Sequence, residues 1–185
     1  MEAIPGEISQ GRKLCSQRVA IMKNVEYRPF RPEDLETLRE IMVEAFHGVS
    51  IDHGIEQVHG EINGHDWKWR KGRHLDEDLR RDPDGIIVAE SDGQVVGFIS
   101  VWMDQEAGIG HIPNISIRPA FRGQGIGRTL IQMVMSRFRA AGLTHAKIET
   151  LEQNAIGNHL YTDCGFREVA RQVHFVASLH ETEED

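Results

Sequence analysis

The sequence predicts one mixed α/β domain, and three observations support this. The chain has 185 residues, about the length of a single domain. Short runs of β-branched and aromatic residues alternate with segments in which apolar residues recur at helical spacing. Hydrophobic residues make up 39% and charged residues 27% of the chain, the balance of a globular protein and not of a disordered or fibrous one.

The elements before residue 81 are a strand, a helix and an irregular stretch. Residues 25–28 predict a short strand, and Pro32 with the two acids after it marks a helix start. That helix has one apolar face, formed by Leu35, Leu38, Met42, Ala45 and Phe46. Residues 47–80 are polar and irregular, so we expect short helices and loops there.

The elements after residue 85 alternate strands with two helices. Residues 86–89 and 95–102, joined by a turn at 91–93, predict an antiparallel hairpin. A gap at 107–110 precedes a strand at 112–117, and a helix over 125–141 ends at Gly142. The remaining predictions are a strand at 146–151, a short helix at 155–163 and two last strands within 166–179.

Charge and composition exclude several classes of protein. With 21 Lys and Arg against 29 Asp and Glu, the formal charge is −8, which opposes nucleic-acid binding and mildly favours a cationic partner. No run approaches the about 18 to 20 apolar residues of a membrane-spanning helix, and the N-terminus lacks the apolar core of a secretion signal. We therefore expect no membrane partner and a cytoplasmic location.

The two ends of the chain are predicted to lie outside the domain, which would span residues 25–179. Residues 1–24 show no periodicity and are interpreted as an N-terminal extension of unknown role. Residues 180–185 are interpreted as a solvated acidic tail. Cys15 and Cys164 are the only cysteines, and they predict free thiols because they lack the spacing of a metal or redox pair.

A glycine-rich loop between a strand and a helix, residues 122–127, is the most informative stretch. Glycines let the backbone approach a ligand, and the free amides and dipole of a helix N-terminus attract an anion. Arg122 and Arg128 add positive charge. A P-loop would need Gly at 122 and Lys at 128, and the dinucleotide fingerprint would need Gly at 128, so neither motif fits. A tight packing turn without a ligand is the alternative.

The pattern Arg/Gln-x-x-Gly-x-Gly is met in full by Arg122, Gly125 and Gly127, and it resembles the acyl-CoA pyrophosphate loop of the Gcn5-related N-acetyltransferase (GNAT) family. Residues 148–166 are similar to the same family's next segment: a strand, a helix begun by Asn154, a Leu-Tyr pair ending at Tyr161 and a Gly-Phe ending. Both motifs occur in the family's order. Within the family, the two motifs most resemble those of members that acetylate the N-termini of ribosomal proteins.

The resemblance implies more about fold and partners than the residues do. It implies a mostly antiparallel sheet of six to seven strands, splayed at the two parallel central strands and flanked by helices. It also implies acetyl-CoA as the acyl donor and a homodimer, whereas the expectation of no metal comes from the spacing of the histidines in residues 47–74.

By the same resemblance, acetyl-CoA contacts strand amides, the glycine loop and the last helix, at Ile115, Ile117, Arg122, Gly123, Gln124, Gly125, Gly127, Arg128, Asn154 and Tyr161. Glu149 corresponds to the catalytic base, and Tyr161 to the acid that protonates the CoA thiolate. Asn154 and Tyr161 are seven residues apart, so they face the same side if both are helical. The residue types alone leave alternatives open, namely a sheet-edge carboxylate at 149, a core aromatic at 161 and a plain N-cap at 154.

The segment 47–80 contains five histidines whose spacing fits neither a helical metal pair nor a zinc finger. Two interpretations stay open for this segment, which includes Trp67, Trp69 and the acids at 76–78. It lines the acceptor-amine side, or its tryptophans belong to the core or to a dimer contact. Cys164 has no adjacent base and is interpreted as a packing residue.

The sequence thus predicts an N-acetyltransferase that moves the acetyl group of acetyl-CoA to a primary amine by direct attack in a ternary complex. Two rivals remain: a non-catalytic acyl-CoA sensor or interaction module, and a nucleotide-dependent enzyme. Nothing in residues 47–80 specifies the acceptor amine.

Overall fold

The computed structural model describes residues 24–179, so most of the predicted extension and all of the predicted tail at 180–185 lie outside the described residues. The described chain forms one sheet of five strands that lie side by side in chain order. The strands are β1 (Val25–Pro29), β2 (Ile86–Ser91), β3 (Gln94–Asp104), β4 (Ile109–Ile117) and β5 (His145–Ile148).

Pairing in this sheet is antiparallel from β1 to β4 and parallel between β4 and β5. The prediction of a mixed α/β fold is therefore confirmed. The predicted hairpin is β2–β3, and its turn residues Asp92 and Gly93 have φ angles of 52° and 78°. A two-residue hairpin turn needs this left-handed conformation, which Asp and Gly adopt more readily than other residues.

Helices cover both faces of the sheet: α1 (Leu35–Phe46), α2 (Ile51–His59), α3 (Trp67–Gly72), α4 (His74–Arg81), α5 (Ile126–Ala140) and α6 (Ala155–Asp163). Leu38 of α1 and Leu75 of α4 share one buried cluster with Phe98 of β3. Leu130 of α5 shares the other with Ile99. Because Phe98 and Ile99 are neighbours on one strand and point to opposite faces, the sheet separates two apolar cores.

The strand β4 begins earlier than predicted, at Ile109 instead of 112. The glycines at 108 and 110 suggested a gap, but Gly110 lies within the strand, against Phe138 of α5. A Cβ at Gly110 would overlap the Phe138 ring. This glycine therefore makes room for a helix side chain and does not form a turn.

A β-bulge in β4 decides which side chains share a face. Ser100 of β3 pairs with Asn114, whereas Trp102 pairs with His111, so β4 carries one extra residue between the two pairs. Directly opposite residues of an antiparallel pair lie on the same face. Asn114 and His111 therefore both point to the face covered by α1 and α4.

The C-terminal part of the prediction is wrong in two respects. The strand predicted at 146–151 is β5 and ends at Ile148, and the two strands predicted within 166–179 are not formed. In the described structure, residues 166–179 have no regular secondary structure and side chains such as Val169 and Phe175 are exposed. Alternating apolar residues are compatible with a strand, but a strand forms only when another strand pairs with it. The observed sheet thus has five strands, not six to seven.

The described helices include none with the length and apolar character needed to span a bilayer.

Candidate active site

The glycine loop leads directly into α5. Gly123 and Gly125 are exposed and have φ angles of 74° and 82°, a conformation that side chains with a Cβ adopt at a cost. α5 begins at Ile126, and the first amides of any helix have no partner within the helix. The loop and helix terminus therefore present a set of N–H groups that suits a phosphate or pyrophosphate.

The polar side chains around this loop hold it in place. Arg122 Nε donates to the carbonyl oxygen of Ile117 over 3.1 Å, and Gln124 Nε2 donates to that of Ala120 over 3.3 Å. Arg128 is ion-paired with Asp163 of α6 at 2.8 Å. Part of the positive charge predicted at the loop is thus already neutralised by α6.

Gly127 marks the place where α5 meets α6 and β4. A Cβ at this position would lie 3.0 Å from Leu160 Cδ2 and 3.9 Å from Ile115 Cδ1. Close packing therefore explains the glycine at 127, which is the last glycine of the pattern. The first helical turn of α5 is held against the strand that carries Ile115.

The amides of Ile115 and Ile117 point away from β3. Arg118 N donates to Val96 O of β3 over 2.9 Å. Because N–H groups alternate in direction along a strand, the amides of residues 115 and 117 face the side where β5 lies. The β4–β5 pairing ends at Ile112 with Ile148, so both amides lie beyond the last paired residue of β5.

α6 carries Asn154 and Tyr161 on one side, as their spacing predicts. Asn154 is the N-cap and accepts a hydrogen bond from Gly157 N over 3.1 Å, while its Nδ2 donates to Thr150 Oγ1 over 2.8 Å. A Cβ at Gly157 would lie 2.6 Å from Asn154 Nδ2 and 3.2 Å from Tyr161 Cε2, so the two side chains converge there. Burial raises the pKa of Tyr161 to about 12, so its hydroxyl is a weaker acid than that of an exposed tyrosine.

Cys164 follows α6 and is half-buried. Burial raises the pKa of its thiol, and a protonated thiol is a poor nucleophile. This agrees with its interpretation as a packing residue.

Glu149 lies one residue past β5 and not within a strand. Its carboxylate is 64% exposed and forms an ion pair with Lys147 at 2.6 Å. Since β5 has no pair beyond Ile148, the backbone at 149 is free of the sheet ladder. The side chain is accessible to a substrate.

A cavity of about 270 Å³ opens beside Glu149, where β4 and β5 part. We call it the β4–β5 cavity, and its other polar and aromatic lining residues are Arg81, Trp102, His111 and Lys147. The Trp102 and His111 rings are stacked, with centroids 3.8 Å apart and an interplanar angle of 5°. Desolvation and then the charge of Lys147 lower the pKa of His111, so its imidazole is neutral at neutral pH.

Sequence reasoning missed these four residues. They come from α4, β3, β4 and β5, and none belongs to a recognisable local motif. The alternation along β3 places Trp102 on the same face as Ser100, but only the bulge in β4 brings His111 opposite it.

A buried polar network adjoins the cavity on the same face of the sheet. Asp78 of α4 accepts from Ser100 Oγ at 2.6 Å and from Asn114 Nδ2 at 2.7 Å, and Lys71 Nζ donates to Asn114 Oδ1 at 2.9 Å. Burial lowers the pKa of Lys71 to about 8 and raises that of Asp78. These groups fix Asn114, the residue before Ile115.

Three of the five histidines between residues 47 and 74 contact aromatic rings. His47 and His53 lie 5.0 Å apart and both approach the buried Trp67, while His65 stacks on the exposed Trp69 at 3.5 Å. Within residues 24–179 no group of three or more His, Cys, Asp or Glu side chains is arranged to hold a metal ion. Trp67 is therefore a core residue, one of the alternatives that its sequence context left open.

Comparison with known proteins identifies the family. Residues 36–166, more than half of the chain, match the model of the acetyltransferase (GNAT) family. The chain belongs to this family, whose members are acetyltransferases. It is therefore an acetyl-CoA-dependent N-acetyltransferase.

Individual relatives agree with this assignment. An uncharacterized N-acetyltransferase of Archaeoglobus fulgidus is 29% identical over 116 residues, which cover 60% of this chain and 71% of that protein. A putative [ribosomal protein bS18]-alanine N-acetyltransferase of Bacillus subtilis is 26% identical over 99 residues, 54% of this chain and 64% of that protein. The chain spans 28 to 35% of the length of several mycothiol acetyltransferases.

Solved structures share the fold. The PaiA N-acetyltransferase of Thermoplasma acidophilum, determined in complex with coenzyme A, superposes with a TM-score of 0.60 at 22% identity. The superposition covers 78% of this chain and 90% of that one.

Proposed function

We propose that this enzyme acetylates a primary amine by direct attack on the thioester of acetyl-CoA in a ternary complex. One observation carries the proposal: an acceptor cavity, two outward amides and an anion-binding loop follow one another along β4 and the loop after it. The β4–β5 cavity includes His111, the outward amides are those of Ile115 and Ile117, and the glycine loop follows at 122–127. From 113 to 117 the strand spans about 13 Å, which suits an extended arm that joins a thioester to a pyrophosphate.

In this proposal the glycine loop and the start of α5 bind the pyrophosphate of acetyl-CoA through backbone amides. Gly123, Gln124, Gly125 and Gly127 provide the main-chain surface, and Arg122 and Arg128 provide charge. The pantetheine arm enters between β4 and β5 beyond Ile112, where the strands would be splayed. Support for this comes from the end of β5 at Ile148 and from the direction of the Ile115 and Ile117 amides.

The chemical step needs a base, an oxyanion donor and an acid. The amine nitrogen attacks the thioester carbon and passes a proton to Glu149, directly or through water. An outward amide of Ile115 or Ile117 stabilises the oxyanion. When the C–S bond breaks, the Tyr161 hydroxyl protonates the thiolate, and the products are the N-acetylated amine and CoA.

Two observations support these roles. Glu149 is exposed at the cavity, where an amine can reach it, and the Tyr161 side chain converges with that of Asn154 above Gly157. Asn154 lies beside Tyr161 at the start of α6, so its side chain caps the helix and also contacts the CoA arm.

The first test is calorimetric titration with acetyl-CoA, with ATP and NAD as controls, followed by thiol release over a panel of amines. We expect selective binding of acetyl-CoA and turnover of at least one amine. Binding without turnover of any amine would favour the non-catalytic sensor, and binding of ATP or NAD in place of acetyl-CoA would favour a nucleotide-dependent enzyme.

The role of Glu149 is tested with Glu149→Gln, and Glu152→Gln is the matched control. Glu152 is an exposed carboxylate three positions on, and it pairs with Arg171 away from the cavity. We expect Glu149→Gln to lower kcat roughly a hundredfold, with little change for the control. Equal activity of the two variants would remove Glu149 as the base.

The proposal includes a homodimer. Apolar side chains in the segment 166–179 are exposed in the single chain, among them Val169, Val173, Phe175 and Leu179. Burial of such a patch against a second copy would remove it from water. Light scattering should give twice the 21.0 kDa of one chain, and Phe175→Ser should shift the mass towards the monomer. A single-chain mass at micromolar concentration would contradict this part.

The domain limits and location complete the proposal. We assign residues 25–179 to the catalytic domain, and limited proteolysis should leave this core intact.

A cytoplasmic location is proposed on cysteine usage, because two cysteines give no disulfide framework. Fractionation of the cells that produce the protein tests it.

A further inference from the structure

The β4–β5 cavity contains an arginine without a carboxylate partner. Arg81 ends α4, and its guanidinium carbon lies 5.1 Å above the centroid of the Trp102 ring. Among residues 24–179 no carboxylate lies within ion-pair distance of it, and the adjacent Asp82 is paired with Arg137 at 3.2 Å. The Arg81 guanidinium therefore lies at the cavity, and no carboxylate within residues 24–179 accepts a hydrogen bond from it.

Arg81 also lies against an aromatic ring. Its guanidinium carbon is within cation–π distance of the Trp102 ring, which itself stacks on the His111 ring at 3.8 Å. A guanidinium stacked on an aromatic ring loses less freedom when it binds a ligand than a freely rotating one. Its parallel N–H groups match the two oxygens of a carboxylate or phosphate.

The charge of the cavity is opposite in sign to that of the chain. Arg81 and Lys147 are positive, Glu149 is negative, and the lowered pKa of His111 leaves its ring neutral. Lys147 is paired with Glu149 at 2.6 Å, so the net positive charge of the cavity comes from Arg81. Asp104 acts on His111 from nearby but does not line the cavity. The chain as a whole has a formal charge of −8.

We propose that the acceptor amine carries an oxyanion, a carboxylate or a phosphate, which Arg81 binds while the amine faces Glu149. This inference rests on the proposed function, because it assigns the substrate class of the same site. Arg81 and Glu149 line the same cavity, so one acceptor can contact both groups. A cationic acceptor, favoured by net charge alone, is disfavoured by the local charge.

The test compares matched amines that differ in the anionic group. β-Alanine is paired with β-alaninamide, and phosphoethanolamine with ethanolamine, so that the two pairs separate a carboxylate from a phosphate. Putrescine represents the cationic class. Thiol release is measured for the wild-type enzyme and for Arg81→Gln, with Arg80→Gln as the control, since Arg80 is an adjacent exposed arginine outside the cavity lining.

We expect the anionic member of one pair to have a kcat/KM roughly tenfold to a hundredfold higher than its neutral partner, as befits hydrogen bonds to a charged group. Arg81→Gln should abolish this preference, mainly through KM, while Arg80→Gln retains it. Arg81→Lys should restore part of it, because the charge returns without the paired N–H groups. A preference for neutral or cationic amines, or an unchanged preference in Arg81→Gln, would overturn the inference.

A binding measurement separates this inference from the proposed reaction. CoA-saturated protein is titrated with N-acetyl-β-alanine, N-acetyl-β-alaninamide and N-acetylphosphoethanolamine. Selective binding of an anionic compound that is lost in Arg81→Gln would support the oxyanion site even if no amine is acetylated. Absence of turnover alone would contradict the proposed function, and absence of selectivity in binding would contradict the inference.

Discussion

The Lys71 ammonium donates a hydrogen bond to Asn114 Oδ1 over 2.9 Å, immediately before Ile115 on β4. Lys71 is 6% exposed, and the same ammonium lies 3.9 Å from the centroid of the Phe46 ring. The Asn114 amide oxygen and the face of the Phe46 ring thus take the place of water around the buried charge of Lys71. The buried Asp78 receives a hydrogen bond from the other end of the same Asn114 amide. The backbone that presents the Ile115 amide is therefore held by a buried charged network on the opposite side of β4 from α5.

This network predicts an unusual dependence of stability on alkaline pH. Burial lowers the pKa of Lys71 from 10.5 to about 8. Below about pH 8 both the folded and the unfolded chain hold the proton, and the cost of burying the charge is fully present. Between about 8 and 10.5 only the unfolded chain holds it, so the free energy of unfolding gains up to about 3 kcal/mol as the pH rises.

Urea unfolding of the wild type and Lys71→Met over this pH range measures the effect. The Lys71→Met profile should lack the rise, because the side chain that loses its proton between these pH values is absent. Parallel profiles would show that Lys71 is not desolvated in the folded state.

Tyr161→Phe should lower kcat and leave acetyl-CoA affinity unchanged. The variant removes the hydroxyl that would donate the proton and retains the ring that packs near Phe166. We expect a loss of roughly a hundredfold in kcat, as is typical of a general acid. Tyr27→Phe is the matched control, since Tyr27 on β1 is the only other tyrosine. Unchanged turnover of Tyr161→Phe would remove this residue as the acid.

Gly125→Ala should weaken acetyl-CoA binding more than its effect on stability explains. Gly125 and Gly142 stand at the two ends of α5, both at φ 82° and both with open space where a Cβ would point. The strain of an alanine there, about 1 kcal/mol, should therefore be similar at both ends. Thermal unfolding should fall alike for Gly125→Ala and Gly142→Ala, and calorimetry should show a loss of affinity for Gly125→Ala alone. Equal affinities would indicate that the loop is a packing turn.

Gly110→Ala should destabilise the fold by about 1–3 kcal/mol, because the added methyl overlaps the buried Phe138 ring. Phe138→Leu, which is smaller and more adaptable, should relieve part of this cost. The double variant should therefore be more stable than the sum of the two single effects predicts. Denaturant unfolding of the three variants checks this. Additive effects would mean that the strand and not the ring moves to accept the methyl group.

Local patterns account for much of the fold. The apolar face of α1 and the Asp92-Gly93 hairpin could be predicted because each depends on residues close together in the chain. The same reason explains the convergence of Asn154 and Tyr161, which two turns of one helix bring together. Gly110 was misread because a glycine needed for packing and a glycine needed for a turn look alike in a sequence.

The absence of the two strands predicted within 166–179 could not be seen from the residues of that segment. Whether such a segment forms a strand depends on a free sheet edge and a matching register. Neither can be predicted from the residues of the segment. β5 pairs with β4 over only four residues, from His145 to Ile148, and the sheet ends there.

By itself the sequence determined the glycine loop and the helix that Asn154 begins, because each is a property of contiguous residues, whereas Glu149 was predicted within a strand and lies one residue past β5. The β4–β5 cavity was decided by tertiary structure alone. Arg81, Trp102, His111 and Lys147 lie on four different elements, and they meet because an extra residue in β4 turns His111 towards Trp102 while α4 ends above them. Such a meeting depends on register and packing between distant segments, for which the chain carries no local signal.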